Sequence, residues 1–106
     1  MPQRRVPRQF SLPWGTGLIL EEAAIEGGLH QPALQLLRYE LGEKKGQYAI
    51  RFSSYSPDGR FERQPLIVNE REIRRLQREV QRSPRLRKLL LRLVGEDPPS
   101  PSPEGS

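Results

Sequence analysis

Apolar and polar residues alternate along residues 46–68, and the alternation is interrupted at Ser56-Pro57-Asp58-Gly59. This sequence is typical of a type I turn followed by a glycine with positive φ, a common three-residue connection of a β-hairpin. We therefore predict two antiparallel strands. The predicted pairs are Ser56 with Arg60, Tyr55 with Phe61, Ser53 with Arg63, Phe52 with Gln64, Ile50 with Leu66 and Tyr48 with Val68.

The two faces of this hairpin differ in polarity. The apolar face is the predicted core face, and it carries Tyr48, Ile50, Phe52, Leu66 and Val68. The other face has Arg51 and Arg63 at its middle, and burying unpaired arginines is costly. We predict that this face is exposed to solvent. Pro65 cannot donate to a strand ladder, which favours an edge strand or a bulge at that position.

Residues 33–41 predict a further strand next to this hairpin. If residues 43–46 form the connecting loop, Leu37, Tyr39 and Leu41 join the predicted core face. A slip of one residue would turn Arg38 and Glu40 inward, so the first register is preferred. It places Arg38 opposite Arg51 on the predicted solvent face, where the two cations repel each other. A bound anion would relieve that repulsion.

Residues 16–26 fit two elements. Thr16 could cap a short helix that ends at Gly27, and the alanines and glutamates of the segment favour a helix. A strand would instead complete a four-stranded antiparallel meander, and we favour it because three strands alone make a small sheet.

After Val68 the apolar period changes to that of a helix. Asn69 followed by Glu72 resembles a capping box, and Ile73, Leu76 and Val80 share one face. Ser83-Pro84 interrupts this helix and restarts it. The second half carries a stronger apolar stripe, which could pack on the far end of the sheet or on a second copy of the chain, and we expect a homodimer interface. Its residues are Leu86, Leu89, Leu90, Leu93 and Val94. The predicted fold is thus α+β, of the form ββββα, over residues 16–94.

Charge is distributed unevenly along the 106 residues, whose net charge is +5. Residues 1–13 contribute +3 and residues 70–94 contribute +6, whereas residues 14–69 contribute −1. Such segregation indicates an anionic partner, most commonly nucleic acid. The alternative is that the arginines of the helices only keep them solvated.

The ends of the chain and its composition complete this description. Residues 1–15 contain three prolines and predict a flexible basic arm, and residues 95–106 predict a disordered Pro/Ser-rich tail. There is no cysteine, no signal-peptide pattern and no run of about 18 apolar residues. We expect a soluble protein of the cytoplasm that could associate with a nucleoid, and we expect no contact with a membrane.

The order of QYAIRFSSYSPDGRF and RQPLIVNEREIRRLQREV resembles the strand-turn-strand-helix core of Pur-repeat proteins, and more loosely the positive-cofactor transcriptional coactivators and the Whirly proteins. The resemblance covers residues 16–94 and is one of topology. It implies a dimer of ββββα units that binds single-stranded nucleic acid on a sheet face. Two features depart from the family: the break at Pro84 and the lack of net positive charge in the middle region.

We therefore expect a binder of single-stranded DNA or RNA, with a role in transcription or nucleoid organisation. Tyr55 and Phe61 are the predicted base-stacking pair, although such a pair also stabilises a hairpin by itself. The predicted nucleic-acid-binding residues are Arg38, Arg51, Ser53, Tyr55, Phe61 and Arg63, with Arg4, Arg5 and Arg8 of the arm.

Catalytic chemistry has little support in the sequence. We find no nucleophile, phosphate-loop or zinc motif, and His30 is the single histidine. We expect no enzyme activity, no metal, no cofactor and no small-molecule substrate. The alternative function is a protein-interaction module whose basic, leucine-striped helices dock an acidic partner.

Overall fold

The computed structural model describes residues 5–96, which form an antiparallel sheet followed by two helices. The strands are β1 (Arg8–Leu12), β2 (Gly15–Ala24), β3 (Gln31–Gly42), β4 (Tyr48–Tyr55) and β5 (Leu66–Asn69), and the helices are α1 (Glu70–Gln81) and α2 (Pro84–Leu93). Each strand pairs with the next one in the chain. The α+β class and the meander are as predicted, but the sheet has five strands and not four.

The additional strand lies in the segment predicted to be a flexible arm. Residues 8–12 form β1, which pairs along its whole length with β2. Arg8, Phe10 and Leu12 alternate with exposed residues, and Phe10 is buried against Tyr39 at a centroid distance of 5.5 Å. Residues 16–24 belong to β2, so the strand is confirmed there and the helix alternative is wrong. The rest of the predicted arm up to Arg4, and the predicted tail from residue 97, lie outside the described residues.

The predicted turn between the two runs is confirmed. Gly59 has φ +88°, its N–H donates to the Ser56 carbonyl, and Ser56 pairs with Arg60. Tyr55 and Phe61 form the predicted bridge. Further along, however, Ile50 pairs with Val68 and not with Leu66. The shift of two residues falls between Glu62 and Leu66, where Pro65 offers no donor. Because two is an even number, Leu66 and Val68 still lie on the same face as Ile50 and Phe52.

The predicted register between β3 and β4 is wrong by three residues. Arg38 pairs with Tyr48, and the residue opposite Arg51 is Gln35, not Arg38. The end of β3 extends beyond β4 and pairs with β2 instead, up to Gly42 opposite Gly15. Because the shift is odd, β4 presents to the core the face predicted to be exposed. The predicted repulsion between Arg38 and Arg51 therefore does not exist.

The sheet has two distinct faces. The buried face carries Phe10, Ile19, Leu37, Tyr39 and Ala49, with Leu12 and Ile67 packed against them. The same face also contains buried polar residues: Gln31, Gln35, Arg51 and Ser53. The open face carries mostly half-buried or exposed apolar residues: Leu34, Leu36, Tyr48, Ile50, Phe52 and Leu66. Apolar side chains on both faces explain why alternation on β4 did not identify the core.

The helices begin and end as predicted. The backbone N–H of Asn69 donates to the Glu72 carboxylate at 3.0 Å, which is the capping-box contact. The Ser83 hydroxyl donates to the Glu79 carbonyl, and Pro84 opens α2. The chain divides into two compact units, Met1–Glu72 and Ile73–Ser106. Neither helix is long and apolar enough to span a membrane.

Gly17 permits close approach of β2 to β3. A Cβ placed on Gly17 would lie 2.0 Å from the carbonyl oxygen of Arg38, a main-chain atom that cannot move aside. We predict that Gly17→Ala lowers the free energy of unfolding by about 3 kcal/mol. The measurement is urea unfolding followed by circular dichroism, with the exposed Ser11→Ala as the control. Equal midpoints for the two variants would contradict the β2–β3 register.

Candidate binding surfaces

The buried face of the sheet contains a polar cluster organised around Gln35. This side chain is 1% exposed. Its amide nitrogen donates to Glu22 at 2.6 Å and to the Tyr55 hydroxyl at 2.9 Å. Its amide oxygen accepts from Nε of Arg51 at 2.6 Å and from the Ser53 hydroxyl at 3.2 Å. An amide has two donors and two acceptor positions, so its hydrogen-bonding capacity is fully used.

Two arginines and one carboxylate extend this cluster. Both terminal nitrogens of Arg8 donate to the carboxylate of Glu22, at 2.9 and 3.1 Å. Burial lowers the pKa of Arg8, but the hydrogen bond and charge of Glu22 outweigh it, so the net pKa is raised. For Arg51, burial lowers the pKa, and the positive charge of Arg8 adds to the lowering. Within residues 5–96 no carboxylate forms an ion pair with Arg51.

The predicted stacking pair forms, but one of its rings is inaccessible. Tyr55 and Phe61 stack with centroids 4.9 Å apart and an interplanar angle of 28°. Tyr55 is 5% exposed and Phe61 is 45% exposed. The guanidinium of Arg51 lies 5.2 Å from the centre of the Phe61 ring. Tyr55 therefore offers no surface to a base, and the Phe61 ring already contacts two side chains of the protein.

The remaining predicted residues do not form one site. Arg38 lies on the open face of the sheet, whereas Arg51 lies on the buried face. Nε of Arg38 donates to the Glu40 carboxylate at 2.5 Å, and this contact raises the pKa of Arg38. Ser53 is buried and its hydroxyl is used by Gln35. Arg5 and Arg63 are exposed, and Arg4 lies outside the described residues. The structure thus places Arg8, Arg51, Ser53 and Tyr55 in one internal cluster and leaves Phe61 and Arg63 at the surface.

Most of the arginines and lysines of the helices form no ion pair with the described residues. Nine arginines and lysines occur in residues 70–94. Among the described residues, only Arg82 of this set forms an ion pair, an exposed contact of 3.8 Å to Glu79. Arg71, Arg74, Arg75 and Arg78 follow the spacing i, i+3, i+4, i+7, which places them on one side of α1, and Arg82 is the residue that directly follows the helix. We call them the arginine face. The charge of residues 70–94 indicated an anionic partner, but the predicted nucleic-acid-binding residues included none of these arginines, although their helical spacing is visible in the sequence.

The predicted dimer-interface residues are all accessible. Neither α1 nor α2 contains a buried residue. The exposed fractions of Leu86, Leu89, Leu90, Leu93 and Val94 run from 38% to 65%. The apolar stripe of α2 is therefore available for a partner.

Hydrogen bonds connect three side chains at the surface: His30 in the loop before β3, Ser54 on β4 and Glu62 in the loop before β5. His30 Nδ1 and the Ser54 hydroxyl both lie within hydrogen-bond distance of Oε1 of Glu62, at 2.8 and 2.6 Å. The hydrogen bond with His30, followed by that from Ser54, lowers the pKa of Glu62. Because the carboxylate stands between the serine and the histidine, the order is not that of a nucleophilic triad. Within the described residues no three metal-binding side chains come together.

Comparison of the chain with protein-family models, with curated proteins and with solved structures found no match. The resemblance to Pur-repeat, coactivator and Whirly proteins has no support from these comparisons.

The cluster around Gln35 yields a stability prediction. In Gln35→Leu, Arg51 and Ser53 lose the amide oxygen that accepts from them, and Glu22 and Tyr55 each lose one of their hydrogen-bond partners. A buried group that is left unsatisfied costs about 1–3 kcal/mol. We expect the free energy of unfolding to fall by at least roughly 3 kcal/mol, measured by chemical denaturation. The matched control is Gln47→Leu at an exposed position. A Gln35→Leu protein as stable as the wild type would show that the cluster does not hold the sheet.

Proposed function

We propose that the protein is a non-catalytic nucleic-acid-binding protein whose phosphate contacts are made by the arginine face of α1. The observation that carries this proposal is the contrast between the two sets of arginines. Arg8, Arg38 and Arg51 are occupied by Glu22, Glu40 and Gln35. The arginine face has a single weak, exposed ion pair.

The position of the acids on α1 supports the same surface. Glu70, Glu72 and Glu79 lie between the apolar stripe and the arginine face, and the centre of the arginine face points away from that stripe. Glu70 and Glu72 also accept hydrogen bonds from Tyr48 and Asn69 at the start of the helix. An anionic polymer approaching the centre of the arginine face therefore meets arginines first, and carboxylates such as Glu79 only at the edges of the face. Neutralising phosphates with arginines releases counterions, which is the main source of sequence-independent affinity.

Binding of single strands in preference to duplexes stays a prediction. The aromatic ring that would serve it is Phe61, because Tyr55 is buried beside the Gln35 cluster. The sheet arginines contribute little to this proposal, since their guanidinium groups are held by the protein itself. We therefore assign the proposed phosphate contacts to α1 and not to the sheet.

A second candidate is the docking of an acidic protein through α2. The observation in its favour is the exposed leucine stripe, which nucleic acid would not cover. Helix α2 contains Arg85, Arg87, Lys88 and Arg92 and no acid. An acidic partner with apolar residues would match both properties.

The nucleic-acid proposal is tested by fluorescence anisotropy with single- and double-stranded DNA and RNA over a salt series. We expect log affinity to fall linearly with log salt. Each phosphate contact on a single strand contributes a slope of about 0.7. Arg74→Gln with Arg78→Gln should therefore reduce the slope by about 1.4 and weaken binding to unrelated sequences equally.

The matched control is Arg38→Gln with Arg60→Gln, which removes the same charge from arginines paired with Glu40 and Asp58. We expect it to leave the slope unchanged. Equal effects of the two double variants would assign binding to net charge alone, and no binding at low salt would exclude this function.

Phe61→Ala tests whether a base stacks on the sheet. Because the Phe61 ring is already stacked with Tyr55, we expect the affinity for a single-stranded oligonucleotide to change by less than about 1 kcal/mol, whereas a stacked base would contribute about 1–3 kcal/mol. The measurement is the same anisotropy assay at moderate salt, and a loss in that larger range would return the binding site to the sheet.

A further inference from the structure

Helices α1 and α2 share one arrangement of apolar residues. Ile73, Leu76 and Val80 of α1 recur 13 residues later as Leu86, Leu89 and Leu93 of α2. Each set follows the spacing i, i+3, i+7 and forms a stripe along one side of its helix. We call these the α1 stripe and the α2 stripe.

One border of each stripe is charged, and the two charges are opposite. On α1, Glu72 and Glu79 flank Leu76 at the spacing i, i+4, i+7. Thirteen residues later, Arg85 and Arg92 flank Leu89 at the same spacing. The acidic border of the α1 stripe thus corresponds, position by position, to the basic border of the α2 stripe.

The two stripes do not cover each other within the chain. Ile73 is 36% exposed and Leu76 is 49% exposed, and Leu86, Leu89 and Leu93 of α2 are exposed to a greater extent. Only Arg82 and Ser83 separate the two helices. Each chain therefore presents one acidic-bordered and one basic-bordered apolar stripe.

We infer that the α1 stripe binds the α2 stripe of a second copy of the chain, with the two helices antiparallel. Two-fold symmetry then forms the contact twice, because each copy supplies both stripes. Ion pairs between border residues select the partner and its direction, as they do in coiled coils.

The direction follows from the side on which the charges lie. The acidic border of α1 and the basic border of α2 lie on the same side of their stripes when each helix is viewed from its N-terminus. When two parallel helices face each other, the left border of one stripe lies against the right border of the other stripe. When the helices are antiparallel, borders on the same side of the two stripes lie against each other. Antiparallel packing therefore places Glu79 near Arg85 of the other copy, and Glu72 near Arg92 of that copy.

Self-pairing of α2 is opposed by its charge. The charged border consists of Arg85 and Arg92, and α2 has no acid. Like charges that face each other destabilise a helix pair, and an antiparallel α2–α2 contact brings these two arginines together at both ends of the border. Pairing of α1 with α2 replaces that repulsion with attraction.

Analytical ultracentrifugation of the full chain tests this inference. We expect the wild type to be dimeric at micromolar concentration. Glu79→Arg alone and Arg85→Glu alone should each weaken the dimer by roughly tenfold, since two pairs per dimer become repulsive. The double variant Glu79→Arg with Arg85→Glu should recover wild-type affinity. Position 79 is used in place of Glu72 because Glu72 also caps α1.

Mixing the two single variants gives the sharpest result. The arginine introduced at position 79 of one chain then meets the glutamate introduced at position 85 of the other chain. This attraction arises only if α1 of one copy contacts α2 of another, and a heterodimer should then form more tightly than either homodimer. Leu89→Lys should abolish the dimer.

The control is Arg74→Glu with Arg78→Glu on the arginine face, which should leave the dimer intact while removing nucleic-acid binding. A monomeric wild type, or a double variant that stays as weak as the single variants, would overturn the inference. Dimerisation of the wild type only in the presence of an acidic protein would overturn it too, and would assign the stripe to that protein.

Discussion

The saturated amide of Gln35 is the constraint on which the sheet depends. It lies on β3, and its four hydrogen bonds reach Glu22 on β2 and three residues of β4. A buried amide that loses partners is costly, so any shift of β2 or β4 against β3 is opposed by several groups at once. The cluster thereby fixes the register that the apolar residues alone leave undetermined, since both faces of β4 contain apolar side chains.

This constraint also decides which cations are available to a partner. Arg8 and Arg51 satisfy the acceptors of Glu22 and Gln35, so their charge serves the interior of the protein. The helices contain no comparable buried acceptors among the described residues, and their cations are left at the surface. The arginines that hold the sheet together therefore lie on strands, whereas most of the arginines available to a partner lie in residues 70–94, although the net charge of the chain counts them together.

Much of the fold follows from local sequence rules. The turn at Pro57, the capping box at Asn69 and the break at Pro84 depend on neighbouring residues and were predictable. The β3–β4 register was not, because the prediction treated Arg51 as a residue that must reach water. Its burial depends on Gln35, 16 positions away, and no pattern within one strand reveals that partner. The same reasoning placed Tyr55 at the surface, whereas its hydroxyl belongs to the interior cluster.

Trp14 occupies a position with a spectroscopic consequence. Its indole N–H donates to the Tyr39 hydroxyl at 3.0 Å, and that hydroxyl donates to Asn69, the residue that precedes α1. The chain has one tryptophan, and it is partly exposed. Its emission wavelength therefore responds to solvent entry at the meeting point of three sequence-distant segments. The protein can be followed by intrinsic fluorescence without an attached dye, with each signal assignable to a single location.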